Sequence, residues 1–305
     1  MRAYVVSRLA QTALVVFLSL SAVFFLVRLS GDPVLLFMPM DIQTKDVNEF
    51  RQRLGFNDPL PVQYARFVGG AMRGDFGESL RYRRDALGLV LERLPATLLL
   101  AGTSLLLTVI VAIPLGVVSA VRRDSVLDHV GTISTVLGQA TPGFWLGLVL
   151  IYVFSVQLRW LPTGGMGGLA HLVRPSVVLA AFYSARIARL TRSAVLEVLG
   201  EDYILTARAK GLTEGRVIGK HTLRNSAIPI VTLAGLEAGQ ILGGAVITET
   251  IFAWPGLGRL TVQALLNRDF PVVLAAVFFI SLMYTLINLA VDLLYGWLDP
   301  RVRLR

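Results

Sequence analysis

Cysteine is missing altogether from the 305 residues, and histidine occurs only as His129, His171 and His221. Without thiols there is no disulfide scaffold, no thiolate metal centre and no cysteine nucleophile. No two of the histidines lie within a helical turn of each other, which argues against a histidine-built metal site. Charge is scarce as well: 16% of residues are Asp, Glu, Lys or Arg, against roughly a quarter in an ordinary soluble domain. No Gly-x-x-x-x-Gly-Lys-Ser/Thr loop occurs, and the run Gly164-Gly165-Met166-Gly167-Gly168 has no lysine after it, so the chain does not cradle ATP phosphates by itself. Neither His-Glu-x-x-His nor Gly-x-Ser-x-Gly is present, which leaves an intramembrane enzyme without an evident catalytic group.

What is present is apolar. Hydrophobic residues make up 54% of the chain and the mean hydropathy is +0.66, spread over several runs, as in a polytopic membrane protein. Windows of about 20 apolar residues fall at Leu9–Leu29, Thr97–Val121, Ile133–Val156, a weaker Pro175–Arg189, Ile228–Thr248 and Val272–Tyr295. The first follows Arg2 and Arg8, is longer than a signal-peptide core and precedes no Ala-x-Ala site, so it reads as an uncleaved span. The fourth is doubtful by length, because Ser176–Ala185 is uncharged only until Arg186, Arg189 and Arg192 follow. Parity decides it. With six crossings, Arg2, Arg8, Arg122, Arg123, the basic residues of 189–224 and Arg301, Arg303 and Arg305 share one side. Only Arg159, Arg174, Arg259 and Arg268 fall on short loops of the other. Short loops obey the positive-inside bias, so both termini are expected in the cytoplasm. The net charge of +9 is then a matter of topology and not of nucleic acid.

Two stretches lie outside the spans. Ser30–Pro95 mixes nine acidic with nine basic residues and has turn signals at Gly31-Asp32-Pro33, Asn57-Asp58-Pro59 and Gly74-Asp75-Phe76-Gly77. Phe50, Leu54, Phe56, Tyr64, Phe67 and Phe76 are many large apolar groups for a solvated tether, so a small extracytoplasmic cap is expected over a plain linker. Thr191–Asn225 carries Leu196, Leu199 and Tyr203, then Leu205 and Ala209, at helical spacing, and is broken at Gly211-Leu212. A basic helix lying on anionic lipid would have this charge. The Gly211 break suits an elbow that docks a partner.

The fifth span holds Gly235, Gly239 and Gly243, a tandem small-residue repeat that lets another helix approach. At 100° per residue, Gln240, Gly244, Glu237 and Thr248 gather on the other side. An intramembrane carboxylate faces a water-filled cavity or a partner: Glu237 either lines the translocation pathway or pairs internally with an arginine such as Arg186. Gly143 and Gly147 form a single packing pair in the third span. The segment from Glu249 through Phe252, Trp254, Pro255, Gly256 and Gly258 cannot continue as helix. It is expected to turn at the outer surface, as an outer gate or as an aromatic-belt anchor through Trp254.

Together these residues resemble the inner-membrane permease subunits of binding-protein-dependent ABC importers, within them the dipeptide/oligopeptide/nickel branch. The segment Asp202-Tyr203-Ile204-Leu205-Thr206-Ala207-Arg208-Ala209-Lys210-Gly211-Leu212, followed by His221-Thr222-Leu223-Arg224-Asn225-Ser226, is similar to that branch's coupling loop. Also similar, in order, are Gly31-Asp32-Pro33, Leu54-Gly55 to Gln63-Tyr64, Gly74 to Ser79, Pro142-x-Phe144, Leu161-Pro162-x-x-Gly165, Glu249 to Gly258, Arg268-Asp269-x-Pro271, and Asp292 with Asp299-Pro300-Arg301. The chain departs from the general importer motif in having Leu205-Thr206-Ala207 for Glu-Ala-Ala and Leu223-Arg224 for the closing Leu-Pro.

The resemblance implies an all-α polytopic protein of the bacterial cytoplasmic (inner) membrane, with six transmembrane helices in the type I importer fold. Residues 1–29 would be the tail and first helix, 30–95 an extracytoplasmic insertion between helices one and two, and 96–305 a five-helix core with its coupling segment at 191–225. It implies half of a translocation pathway, paired with a second permease subunit, most simply as a heterodimer. Two ATP-binding subunits that use ATP and Mg dock on Asp202–Leu212, and a solute-binding protein delivers cargo from outside. The 30–95 insertion would contact that binding protein. The chain itself would bind no cofactor and no metal, and its remaining partner is membrane lipid. Ala207 and Gly211 would be small so that the elbow seats closely, with Arg208 and Lys210 making charge contacts. Di- or oligopeptides are favoured as cargo because no histidine cluster or thiolate lines the stripe; nickel or haem uptake, or a secondary transporter, are the alternatives. The last of these would more often show an inverted repeat and midplane ionisable relays.

Overall fold

The computed structural model describes residues 2–29, 52 and 57–298. The turn Gly31-Asp32-Pro33, the residues Phe50, Leu54, Gly55 and Phe56, and the tail from Asp299 with Arg301, Arg303 and Arg305 lie outside the described residues. Within them the backbone is helical apart from turns and one isolated bridge between Glu78 and Asp85. The helices are α1 Arg2–Leu29, α2 Leu60–Ala71, α3 Ala86–Val121, α4 Val126–Ala140, α5 Gly143–Gln157, α6 Leu169–Leu199, α7 Asp202–Ala209, α8 Glu214–Ile251, α9 Leu257–Leu266 and α10 Phe270–Leu298.

Four of them, α1, α3, α8 and α10, are long and apolar enough to cross a membrane. The third expected span is not straight. It is α4 and α5, bent by 99° at a short break. Pro142 has no N–H to give, and the residue before it is pushed out of the helical region; Thr141 sits at φ −78°, ψ 121° and ends α4. The fourth, doubtful by its ten uncharged residues, is a 31-residue helix, α6, about 46 Å long but too polar to qualify by composition. Several of its polar groups face protein: Arg174, Ser176, Ser184 and Thr191 are all buried, while Arg189 is exposed. The second span begins earlier than expected, at Ala86 in place of Thr97. Asp85 caps it by accepting Gly88 N–H at 2.7 Å, and Ala86, Leu89 and Val90 bury the added turns.

The chain forms two compact units, one of Leu98–Trp254 with the end of α10 from Leu286, the other of Arg2–Thr97 with Pro255–Thr285. In the second, Phe24 of α1 stacks on Phe67 of α2 at 5.2 Å, and Ser21 and Tyr64 share a hydroxyl hydrogen bond of 2.6 Å. Phe24, Phe76, Leu89, Leu257, Leu260 and Phe270 belong to one core. Two distant motifs meet here: the Asp269 carboxylate accepts Ser79 Oγ–H at 2.5 Å and Leu80 N–H at 3.2 Å, while Gly77, at φ +88°, lies against Pro271. Tyr64 and Phe67 thus pack against Phe24 of α1, and Phe76 against Phe278 of α10.

In the first unit α6 is central, packed against α4, α5 and α8. Gly116 of α3 lets α6 approach: a Cβ there would lie 2.6 Å from Ala188 O and from Thr191 Cβ. Asp128 of α4 and Arg192 of α6 form a two-pronged ion pair, Nε to Oδ1 at 2.8 Å and Nη2 to Oδ2 at 2.7 Å.

Candidate functional site

The elbow at 200–225 has a small core of its own. Ile204, Ala207 and Val217 are buried together, with Val198, Leu199 and Leu212 against them. That corrects the expected helical phase: Tyr203, Leu205 and Ala209 face outward, since in the eight-residue α7 only the pair spaced by three, Ile204 and Ala207, reaches that core. Ala207 is small where it packs inside the elbow against Ile204 and Val217. α7 ends in a left-handed residue, Gly211 at φ +78°, with Leu212 N–H on Ala207 O at 3.3 Å and Gly211 N–H on Arg208 O at 2.9 Å. This is the Schellman pattern, completed by the apolar contact of Leu212. Gly211 is thus demanded by the backbone; a Cβ there would meet nothing within 4 Å. Arg208 donates to Glu214 at 2.8 and 3.3 Å and so is paired within the elbow. Asn225 donates to Tyr203 Oη at 2.7 Å, tying α7 to α8. Outward are Asp202, Tyr203, Thr206, Ala209, Lys210, Gly211 and Leu205, the last 57% exposed.

The polar stripe of the fifth span lies against α6. Glu237 is 1% exposed and its Oε1 accepts Arg186 Nη1–H at 3.3 Å, so the internal pairing is present; Oε2 is buried with no hydrogen-bond partner. Arg186 reaches Gln240 Oε1 at 3.4 Å and lies 5.8 Å from the centre of the Phe182 ring. Tyr183 donates to Gln240 O at 2.8 Å, and Gly244 makes room for its hydroxyl, 2.7 Å from a notional Cβ. Thr248 is buried and back-bonds to Gly244 O, while Gln240 itself is exposed. The glycine repeat is split in function. A Cβ on Gly235 would be 2.5 Å from Val291 Cγ2 of α10, Gly239 is buried, and Gly243 is exposed with open space before it. Gly235→Ala is expected to destabilise the folded protein by roughly 1–3 kcal/mol, because the stiff valine cannot move aside. Gly243→Ala should leave the melting temperature of the detergent-solubilised chain unchanged or slightly raised.

At the far end of α8 the helix stops after Ile251. Ala253 is left-handed at φ +51°, Trp254 N–H returns to Glu249 O at 2.8 Å, and Pro255-Gly256 lead into α9 with Gly256 as its N-cap. Trp254 is 1% exposed, so it is a core residue and not a lipid-facing anchor. Glu249 and Phe252 are buried too, and Gly258 is buried in α9. Phe252 is gripped closely. Gly147 of α5 is 3.3 Å from its ring by a notional Cβ, whereas Gly143 has only ordinary contact with Val178. Gly164 would meet Phe252 O at 2.6 Å, and Gly165 N–H donates to that carbonyl at 2.8 Å. Sequence reasoning put Arg174 on a short outer loop, whereas it lies buried within α6, and it missed Asp128 and Gly116, which bring α4 and α3 against α6 across long separations. The only signals were a charge near a span end and a glycine among leucines and valines.

Residues 112–304 match the family model described as binding-protein-dependent transport system inner membrane component, and residues 1–101 match the N-terminal model of the same systems. The chain is 43% identical over 283 residues to the oligopeptide transport system permease protein AppB of Bacillus subtilis (strain 168), covering 89% of this chain and 90% of that one. It is 41% identical over 301 residues to the glutathione transport system permease protein GsiC of Escherichia coli (strain K12), covering 98% of each. Among solved structures, an inward-facing form of the MetNI methionine ABC transporter aligns with TM-score 0.56 at 20% identity, over 69% of this chain and 96% of that one. An amino acid ABC transporter with histidines aligns with TM-score 0.51 at 22% identity, over 68% and 94%.

Proposed function

The chain belongs to the family of inner-membrane components of binding-protein-dependent transport systems, and on that premise we propose that it is the permease subunit of an ATP-driven importer of di- or oligopeptides. It is a multi-pass inner-membrane protein, with both termini assigned to the cytoplasm by the arginine distribution. It forms half of the translocation pathway beside a second, non-identical permease subunit. Two ATPase subunits seat the 201–224 elbow and use ATP and Mg; an extracytoplasmic binding protein hands over the cargo.

One observation carries the coupling role. The elbow satisfies its own core, yet leaves Leu205, Tyr203 and the Gly211 tip outward together on a segment with no lipid-spanning length, and these are the groups it offers to a partner. The cargo rests on the relatives, whose names specify oligopeptide and glutathione. On the pathway side we assign Glu237, Gln240, Gly244 and Thr248 to the moving contact between α6 and α8, and Glu249, Phe252, Pro255, Gly256 and Gly258 to the outer closure. The ordered residues of the 30–95 insertion face the binding protein.

Uptake of a labelled dipeptide, a labelled longer peptide, labelled glutathione and radioactive nickel, compared in cells with and without the gene, tests the reading. Loss of peptide uptake to background with nickel unchanged is expected. Loss of nickel alone would overturn the peptide assignment, and uptake that survives ATP depletion would overturn the ATP-driven one.

A further inference from the structure

Arg174 is the least comfortable side chain in the first unit. It sits in the first turns of α6, 2% exposed, where an isolated guanidinium is costly. No carboxylate pairs with it among the described residues. Its support is a hydrogen bond from Nη1 to Ser155 Oγ, at the end of α5, and the face of Phe252, 5.5 Å from Cζ to the ring centre. Its Nε is buried with no hydrogen-bond partner. A guanidinium has five donors, so most of its hydration is given up for one bond and one ring. Ser155 in turn donates to Pro162 O at 3.3 Å, and the loop that follows clasps the Phe252 carbonyl through Gly165. The end of α5, the 162–165 loop, α6 and the end of α8 therefore converge on Phe252, with one under-solvated cation among them.

We propose that Arg174 is a positioning residue of transport. Its poorly compensated buried charge limits the stability of the closed arrangement at the extracytoplasmic end of this subunit, which is thereby ready to open. This rests on the orientation given above, which puts the N-terminus of α6 and the C-terminus of α8 on the outer side. The physics gives the assignment a signature of opposite signs. Replacing a poorly paired buried charge by an apolar chain of similar volume leaves the packed state equally or more stable, whereas removing a partner and leaving the charge behind destabilises it. Arg174→Met thus over-stabilises closure, and Phe252→Leu loosens it. A residue that merely glued the helices together would give the same sign for both.

The chain's lack of cysteine supplies the probe. Thr248, buried one turn below Phe252 and bonded only to its own helix, is replaced by cysteine, and its labelling by a membrane-impermeant maleimide is followed in the assembled transporter, with and without ATP plus vanadate. Arg174→Met, with Arg174→Gln as a second neutral variant, is expected to slow labelling in the vanadate state by about threefold or more. Phe252→Leu should speed labelling at rest by a similar factor, and the double variant Arg174→Met/Phe252→Leu should return towards the parent. Faster labelling in the Arg174 variants, or no change in any, overturns the proposal. Peptide uptake by the parent assembly is measured alongside. If the parent moves no peptide the peptide reading fails on its own, while the signs of the labelling changes, which need no cargo, still decide the role of Arg174.

Discussion

Gly211→Asp is expected to reduce binding-protein-stimulated ATP hydrolysis and uptake to background, while Gly211→Asn retains most of both. The two side chains have nearly the same shape, and both tolerate the left-handed region better than other residues, so the backbone at φ +78° does not separate them. Nor does the elbow itself, since a Cβ at Gly211 meets nothing within 4 Å. What separates them is a charge, and a charge matters only where something covers it: an unpaired carboxylate taken out of water against a partner costs several kcal/mol. Gly211→Val supplies the complementary arm. It strains the cap by about 1–2 kcal/mol, a factor of roughly 5–30 in the population of the native turn, and should lower coupling by about that factor. Equal activity of the Asp and Asn variants at the parent level would remove the docking assignment; equal loss in both would trace the glycine to the cap alone.

Much of this architecture is readable in the sequence wherever one residue type dominates a segment. The runs at Val6–Leu29 and Phe270–Leu293 declare themselves because lipid-facing and buried residues are apolar alike. Hydropathy failed on α6 for a physical reason: its Arg174, Ser176, Ser184 and Thr191 are buried against protein, so a helix that is long enough carries the composition of a surface. It placed the start of α3 too late because Glu92 and Arg93 interrupt the apolar run on the exposed side, while Ala86, Leu89 and Val90 continue the buried one. The bend at Thr141-Pro142 was legible in the proline, and a twenty-residue window averages over it.

At the candidate site the same division holds. Gly211 announces a break by its identity, but the burial phase of an eight-residue helix is set by the few contacts of Ile204 and Ala207, and periodicity over so short a span pointed to Tyr203 and Leu205. On α8 the angular arithmetic groups Glu237, Gln240, Gly244 and Thr248 on one side, of which Glu237 and Thr248 are buried and Gln240 is exposed. Whether that side met water or protein depended on α6, whose Tyr183 and Arg186 lie far away in the chain. Gly235 and Gly243 look identical in a Gly-xxx-Gly repeat, and only the presence of Val291 beside one of them distinguishes the two.

Asp128→Asn is expected to be the most destabilising single change in the α4–α6 contact. The carboxylate, 6% exposed, accepts two hydrogen bonds from Arg192, which is 30% exposed, and a third from Asp124 N–H at 3.1 Å. An asparagine turns its NH2 towards one of these donors and leaves a half-buried guanidinium without a counter-charge, a loss of roughly 3 kcal/mol at the low end for breaking a buried pair. For a chain of 305 residues that lowers the melting temperature by roughly 5 °C. Arg192→Lys should fall between, because an ammonium cannot make the parallel two-pronged contact. The double variant Asp128→Asn/Arg192→Met should recover more than half of the loss, since what costs most is the orphaned charge and not the absence of the pair. The pair also stands on the part of α6 that leads into Gly200 and the elbow, so the single variant should lose transport per ATP hydrolysed even below its melting temperature, and the double variant should not regain it fully. An unchanged melting curve for Asp128→Asn would show that α4 and α6 are held by apolar packing alone, and unchanged transport per ATP hydrolysed would show that the ion pair takes no part in the relay from elbow to helix.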